Sequence, residues 1–170
     1  AGLVMQASAT TIRVDVGKTG LTFDPNVITA GVGDVLEFHF YPRNHSVVSG
    51  LWTQACIPPA SGGFYTGFFP TANNTVNSQV FRVTINDTDP HVFYCSQNTG
   101  AHCRNGMVGV VNPFGSNTLE FYVGLARGAL TAVSPPSAFG GTIAQANASA
   151  STTSASGGSG ASSSTSSAAS

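Results

Sequence analysis

Three segments of the chain alternate apolar and polar side chains with a period of two, and this pattern restricts the possible fold more than any other feature. Their apolar members are Ile12, Val14 and Val16; Leu36, Phe38 and Phe40; and Phe81, Val83 and Ile85. Successive side chains of a β-strand point to opposite faces, so each segment is predicted to be a strand with one face in a core and the other toward water. The segments 91–95 (HVFYC) and 107–111 (MVGVV) predict two more strands. Several short strands separated by turn residues indicate an all-β sandwich or barrel.

Two stretches depart from this alternation. Residues 51–80 contain proline, glycine and aromatic residues without any period, which predicts a long, ordered connection whose aromatic side chains pack onto the sandwich. Asn117 and Glu120 have the spacing of a capping box, so a short helix is predicted near 118–127. The alternative for this segment is a strand over LEFYVGL.

The C-terminal part of the chain has a different composition. After Ile143 every residue is Ala, Gln, Asn, Ser, Thr or Gly. Such a segment cannot bury enough apolar surface to offset the entropy lost on ordering, so residues 141–170 are predicted to form a disordered stalk behind a domain of residues 1–140. Ser/Thr-rich stalks are commonly O-glycosylated, and the small residues up to Ser170 are compatible with a glycolipid anchor.

The charge of the chain and its glycosylation sequons restrict its binding partners and its cellular location. Charged residues make up 8% of the chain and the net charge is −1, which excludes nucleic-acid binding through a basic surface. No apolar run is long enough to span a membrane. Sequons begin at Asn44, Asn73, Asn86 and Asn147, and four of them in a charge-poor chain favour a secreted glycoprotein. Residues 1–10 do not resemble a signal peptide, so a secreted chain would already be processed.

The segment 93–112 contains the residues with the most specific chemistry. Cys95 follows an apolar strand, His102 comes seven residues later, and Met107 comes five residues after that. A thiolate, an imidazole and a thioether form a soft donor set that suits copper cycling between its two oxidation states. A second imidazole would complete a trigonal His₂Cys plane with a weak axial methionine. His45, in the segment 42–48 (PRNHSVV), is the candidate for it.

Other roles for these residues remain open at this point. Cys95 could be a buried core thiol or the disulfide partner of Cys103, His45 an ordinary loop histidine, and Met107 core filling. A zinc site of Cys95, Cys103, His45 and His102 would need the neighbours 102 and 103 both to face the metal, and it would leave Cys56 unpaired. The two other histidines, His39 and His91, are interpreted as strand or surface residues.

The segment PRNHSVV, followed by the distant FYC, HC and GMV blocks, resembles the cupredoxins, the blue copper proteins. The chain is most similar to the phytocyanin-like branch and to fungal extracellular serine-rich proteins, over about residues 10–113; residues 114–140 are then a C-terminal extension. The resemblance implies a Greek-key β-sandwich or barrel with one copper ion. His45, Cys95 and His102 would be its equatorial ligands and Met107 its axial ligand. A disulfide between Cys56 and Cys103 is implied as well, and extended neighbours pointing to opposite sides agree with it.

The resemblance also implies a function. Four side chains fill such a copper site and leave no open position for a substrate, which favours single-electron transfer over enzymatic activity. His102 would be the exit for electrons, and Arg43 and Arg104 could steer an acidic redox partner whose identity the sequence does not reveal. We expect a monomer, secreted and tethered to the cell surface or wall. The alternatives are a copper-acquisition protein without a redox partner and a structural surface module on the stalk.

Two features depart from the family pattern. Six residues separate Cys95 from His102, where cupredoxins more often have a shorter spacing, so His102 could be tilted. Asn44 begins a sequon whose middle residue is the presumed ligand His45. The resemblance packs Asn44 and Ser46 around the copper, with Asn44 joining the loops by hydrogen bonds. Asn44 is therefore expected to be unmodified, leaving Asn73, Asn86 and Asn147 as glycosylation candidates.

Overall fold

Two packed β-sheets form the body of the protein in the computed structural model, which describes residues 8–147. In chain order the elements are β1 (Thr11–Val16), β2 (Phe23–Asp24), β3 (Val27–Ile28), β4 (Val35–Phe40), β5 (Asn44–His45), β6 (Val48–Ser49), β7 (Phe69–Pro70), β8 (Gln79–Thr84), β9 (His91–Tyr94), β10 (Val108–Val111), α1 (Leu119–Arg127) and β11 (Thr142–Gln145). The five segments predicted as strands correspond to β1, β4, β8, β9 and β10. The prediction of an all-β sandwich is confirmed.

The sheets bring the end of β9 and the start of β10 together. The larger sheet has the spatial order β11-β8-β4-β1-β2, with β1 and β4 parallel. The smaller sheet has the order β3-β10-β9-β6, and β5 pairs with β7 in a separate two-stranded sheet. Val108 of β10 lies opposite Tyr94 of β9, so the residues just outside this pair, Met107 and Cys95, are neighbours at one end of the sandwich.

Aromatic side chains from both sheets fill the space between them. Phe93 of the smaller sheet contacts Phe38 of β4 and Phe23 of β2 edge to face, with ring centroids 5.6 and 4.9 Å apart. All three rings are buried, and each contributes about 1.5–3 kcal/mol through removal of its apolar surface from water. This core also contains Cys95 and Met107, so the site described below is built on the rigid part of the protein.

Alternation predicted that the polar face of β4 points to water, but this face is buried. Glu37 and His39 are only 8% and 4% exposed. The carboxylate of Glu37 accepts hydrogen bonds from Arg82 Nε at 2.7 Å and from His39 Nε2 at 2.6 Å. Buried charged groups are tolerated when they are paired in this way, and an alternating pattern alone cannot reveal such pairing between strands. The interpretation of His39 as a strand residue is confirmed, but it is not at the surface.

The long connection is ordered and packs onto the sandwich through its aromatic residues, as predicted. Phe69 stacks on Phe40 with ring centroids 4.0 Å apart, and Phe64 stacks on Phe38 at 5.6 Å. The connection is shorter than 51–80 because β8 already begins at Gln79, and β7 interrupts it.

The predicted helix is confirmed as α1, but its cap is one residue later than expected. Thr118, not Asn117, is the N-cap, and its hydroxyl accepts a hydrogen bond from the backbone N–H of Phe121. Glu120 in the first turn and Arg127 in the last complement the helix dipole. Tyr122 and Ala126 are buried against the outer side of the smaller sheet.

The prediction of a disordered segment from residue 141 is wrong for its first residues. Thr142–Gln145 form β11, which pairs antiparallel with β8, with Ile143 opposite Phe81. Backbone pairing at a sheet edge orders these residues although their side chains are largely exposed. Residues 148–170, the remainder of the predicted stalk, lie outside the described residues. Within residues 8–147, no helix is long and apolar enough to cross a membrane.

Candidate metal centre

Cys95 directly follows β9, and its side chain is completely buried. Its backbone N–H donates to the carbonyl of Met107 at 3.1 Å, which joins the end of β9 to the start of β10. Burial raises the pKa of the Cys95 thiol, and hydrogen bonds from Ser46 and Gln97 only partly oppose this. Cys95 is a free thiol, so the alternative of a disulfide with Cys103 is excluded.

His45 lies in the two-residue strand β5, where pairing with Phe69 of β7 fixes its backbone. The ring is 3% exposed, and burial lowers the pKa of His45, against a smaller opposing effect of the Pro42 carbonyl. Nε2 lies 3.3 Å from the Pro42 carbonyl oxygen, which can only accept a hydrogen bond. Nε2 therefore carries the proton, and Nδ1 is left with a lone pair for a metal.

His102 approaches from the loop between β9 and β10. Its Nδ1 lies 3.2 Å from Nδ1 of His45 and 3.4 Å from the sulfur of Cys95. The ring is half-buried, and the pKa of His102 is lowered to about 4 by burial and by the nearby His45. Both imidazoles are thus neutral at pH 7 and can bind a metal.

The three side chains form one compact donor group. The ligand atoms of His45, Cys95 and His102 all lie within 4.8 Å of one another. Two nitrogen donors and one sulfur donor around one point fit copper, because soft thiolate and imidazole ligands suit both of its oxidation states. The structure thus brings His45 together with Cys95 and His102, which follow it by 50 and 57 residues in the sequence.

Met107 directly precedes β10 and is fully buried in the same core as Cys95. Its backbone N–H donates to the carbonyl of His102 at 3.0 Å, and its carbonyl accepts from Cys95. Two candidate ligands are therefore hydrogen-bonded directly to this residue. The role of Met107 as an axial ligand stays a prediction.

The Cys56–Cys103 disulfide predicted from the resemblance is present. It excludes the zinc site that needed Cys103 as a ligand. Both half-cystines are buried in a second hydrophobic cluster, which includes Tyr122 and Ala126 of α1, whereas Cys95 belongs to the core between the sheets. Cys56 belongs to the long connection and Cys103 follows His102, so the crosslink ties that connection to the histidine loop.

Removal of this disulfide is expected to lower stability while leaving the donor group intact. The half-cystines are 47 residues apart, and closing a loop of that size is worth about 4 kcal/mol in the chain-entropy model. We expect the double variant Cys56→Ser/Cys103→Ser to lose about 2–4 kcal/mol of unfolding free energy in urea titrations. An unchanged unfolding midpoint would contradict this role.

Ser46 contacts Cys95 as expected of a residue surrounding the site. Its backbone N–H donates to the sulfur at 3.4 Å, and its hydroxyl accepts a hydrogen bond from the N–H of Ser96 at 3.0 Å. Asn44 differs from the expectation, because its Oδ1 is buried without a hydrogen-bond partner. No hydrogen bond from the Asn44 side chain joins the loops within the described part of the chain.

The six residues between Cys95 and His102 are folded into a compact turn. The N–H of His102 donates to the carbonyl of Gln97, and the N–H of Ala101 donates to that of Asn98. Gly100 has a φ of +82°, a conformation that glycine adopts at little cost. The longer loop therefore still carries His102 to the other donors.

Gly17 and Pro42 shape the site but were missed in the sequence. Pro42 orients the His45 ring through its carbonyl, and Gly17 lies against that ring so closely that a Cβ would be 2.3 Å from Nε2. Pro42 is only three residues from His45, and this closeness in sequence could have identified its carbonyl as a partner of the ring. Gly17 is 28 residues away, and nothing local marks it.

The candidate glycosylation sites differ in accessibility. Asn73, Asn86 and Asn147 are exposed, whereas Asn44 is half-buried beside His45. Glycosylation at the first three and its absence at Asn44 stay predictions. His91 is also at the surface, where its Nε2 lies 2.6 Å from Asp87.

The ionisation of the metal-free site predicts how copper binding depends on pH. The lowered pKa values leave His45 and His102 neutral at pH 7, and the raised pKa leaves Cys95 protonated. Binding should therefore release about one proton per copper, from the thiol, because metal ligands must be deprotonated. Calorimetry in buffers of different ionisation enthalpy measures this number, and release of two or three protons would contradict it.

Because unfolded histidine binds protons more readily than folded His102, the metal-free protein should lose stability from about pH 6.5 toward pH 4.

Comparison with known proteins identifies two relatives from a fungus. The chain is 37% identical over 131 residues to a probable GPI-anchored cupredoxin-1 of Arthroderma benhamiae, covering 76% of this chain and 66% of the relative. It is 35% identical over 138 residues to an extracellular serine-rich protein of the same fungus, covering 81% of this chain and 53% of the relative. The chain thus spans slightly under two thirds and about half of the lengths of these relatives. No family model matches it.

Solved structures with a similar arrangement include a pseudoazurin from Sinorhizobium meliloti and a reduced auracyanin from Roseiflexus castenholzii. The pseudoazurin is 18% identical with a TM-score of 0.43, covering 70% of this chain and 92% of the other. The auracyanin is 20% identical with a TM-score of 0.41, covering 62% and 97%. Together with its sandwich fold, the sequence identity to the fungal relatives shows that the chain belongs to the cupredoxin family.

Proposed function

We propose that the protein is an extracellular blue copper protein that carries single electrons. The observation that supports this most directly is the convergence of the donor atoms of His45, Cys95 and His102 within 4.8 Å. In this proposal Met107 completes the ligand set. A copper ion bound there would supply a one-electron couple between Cu(I) and Cu(II).

The protein keeps these donors in place before any metal arrives. The Pro42 carbonyl fixes the His45 ring, and the Ser46 N–H donates to the sulfur of Cys95. Cys95 and Met107 are fully buried in the aromatic core, which excludes water from that side. Donors held by such packing move little when the charge of the site changes, and this favours fast electron transfer.

The same arrangement supports a carrier rather than an enzyme. With Met107 as the fourth ligand, side chains would fill the coordination positions and leave none open for a substrate. The other two histidines are engaged elsewhere, His39 with Glu37 and His91 with Asp87. In residues 8–147, no second group of three or more histidine, cysteine or acidic side chains is positioned to hold a metal.

Electrons would enter and leave through His102, the more exposed of the two histidines. Its ring lines an open cleft together with Gly100, Pro42 and Arg43. Arg43 lines this cleft, Arg104 is exposed two residues after His102 in the sequence, and both would favour a redox partner with an acidic surface. We expect the protein to meet this partner as a monomer.

The cellular location is proposed from the relatives. One is named as GPI-anchored and the other as extracellular and serine-rich, and this chain also has a serine-rich C-terminal part. A disulfide is typical of proteins in oxidising compartments. We therefore place the protein outside the cell, tethered to the surface or wall.

Titration with Cu(II) followed by voltammetry tests this function. We expect one copper per chain, an intense thiolate-to-copper charge-transfer band, and a reversible one-electron couple with the metal retained after reduction. Loss of copper on reduction would instead favour copper acquisition or buffering. A protein that ignores copper would favour a structural surface module.

A further inference from the structure

A short irregular segment after α1, residues 131–134, lies along the chain that carries Cys95. We call this segment the strap. It belongs to the C-terminal extension, beyond the part of the chain in which the metal-binding residues were recognised. Its backbone and side chains hydrogen-bond to Tyr94, Ser96 and Asn98, which are every second residue of the segment leading out of β9.

The contacts are short and involve both backbone and side-chain groups. The Tyr94 hydroxyl donates to the Val133 carbonyl at 2.6 Å, and the hydroxyls of Ser96 and Ser134 are 2.6 Å apart. The Asn98 amide forms a pair of bonds with Ala132, donating to its carbonyl and accepting from its N–H, both at 2.8 Å. Thr131 donates a further hydrogen bond to Asn98 at 3.2 Å.

This alternation separates two sides of one segment. Neighbouring residues of an extended chain point in opposite directions. Tyr94, Ser96 and Asn98 contact the strap, while Cys95, between the first two, directs its sulfur toward His45 and His102. The strap therefore holds the Cys95 segment from behind without touching the donor atoms.

Hydrogen bonds connect the strap to both ends of the loop that carries Cys95 and His102. Ser96 contacts Ser46 at 2.8 Å between hydroxyls, and Ser46 donates its N–H to the Cys95 sulfur. At the other end, the N–H of Val133 donates to the carbonyl of Cys56 at 2.9 Å. Cys56 is bonded to Cys103, the neighbour of His102.

We propose that the strap fixes the loop that carries Cys95 and His102, with Asn98 and Ser134 as positioning residues. This inference rests on the proposed function, because the geometry that it protects is that of the metal site. A longer loop has more conformations to lose on ordering, so additional hydrogen bonds are needed to keep it in one of them.

The first test uses the metal-free protein and the Cys95 thiol, the free cysteine of the chain. The thiol is completely buried, so alkylation by iodoacetamide requires the loop to open. We expect the double variant Asn98→Ala/Ser134→Ala to react about tenfold faster or more, because two sets of hydrogen bonds are lost. Asn105→Ala is the matched control: Asn105 lies in the same loop, but its side chain donates to the Gly100 carbonyl and not to the strap, and its rate should stay within about twofold of wild type. Ser134→Thr keeps the hydroxyl and should react as the wild type does.

The second test uses the copper-loaded protein. The double variant should show a slower electron self-exchange rate and a broader charge-transfer band, whereas Asn105→Ala should show neither. Wild-type alkylation and self-exchange rates in the double variant would overturn the proposal, as would equal acceleration by the control. A wild-type protein that binds no copper would refute the proposed function, while the alkylation rates would still decide whether the strap holds the loop.

Discussion

Replacement of Cys95 by serine is expected to abolish the charge-transfer absorption that copper produces in the wild-type protein. The absorption requires a thiolate bound to the metal, and Cys95 supplies the sulfur in the donor group. A serine hydroxyl is a hard donor that does not replace a thiolate on Cu(I). We expect copper affinity to fall by more than the 10–100-fold that removal of an outer-shell partner typically costs. Visible spectroscopy and competition with a copper chelator measure the two effects.

The disulfide variant provides the control for this experiment. Cys56→Ser/Cys103→Ser removes two sulfur atoms but leaves the three clustered donors in place. It should keep the colour and lose only stability, so the two changes separate the roles of the cysteines. Colour retained by Cys95→Ser, or lost by the disulfide variant, would contradict the assignment.

Replacement of Gly17 by alanine is expected to disturb the metal site from outside the set of ligands. A Cβ at this position would lie 2.3 Å from Nε2 of His45 and 2.6 Å from Cδ2, so the ring has to move. That movement would break the hydrogen bond between Nε2 and the Pro42 carbonyl. Loss of such an outer-shell partner typically lowers metal affinity about 10–100-fold, and we expect an effect of this size with an altered visible spectrum.

Gly20→Ala is a matched control for the backbone effect. Gly20 has a φ of +100° and Gly17 a φ of +80°, so alanine is strained at both positions, at a cost of about 1–2 kcal/mol. A Cβ at Gly20 meets no atom within 4 Å. Gly20→Ala should therefore lower the unfolding free energy without changing the spectrum or the copper affinity. Equal spectral changes in both variants would show that the backbone, not the contact with His45, is responsible.

The strands and the donor residues were accessible from the sequence because their signals are local or chemically distinctive. Alternation in 81–85 identified β8, and the residues just outside the predicted strands gave Cys95 and Met107. The pairing of Cys56 with Cys103 came from the resemblance and is confirmed. The helix was also predicted, although its cap is Thr118 rather than Asn117, because two neighbouring residues can both cap and local sequence does not choose between them.

Other features were inaccessible because they depend on partners from distant strands. Glu37 and His39 were assigned to water by alternation, yet Arg82 of the neighbouring strand allows the carboxylate to be buried. The composition of residues 142–145 favoured disorder, and pairing with β8 at the sheet edge overrides that preference. In both cases a hydrogen bond across strands decides the outcome, and its partner lies more than 40 residues away.

The sequence alone determined which atoms are available to a metal, because thiolate, imidazole and thioether chemistry belongs to the residue types themselves. It also determined three strands of the core, through the period-two alternation of side chains, and the two apolar strands next to Cys95 and Met107. Only the tertiary structure decided how the donors are held: Gly17 against His45, the Pro42 carbonyl on Nε2, and the strap behind Cys95. These contacts arise from packing between separate strands and loops, and packing is a property of the folded chain rather than of any segment within it.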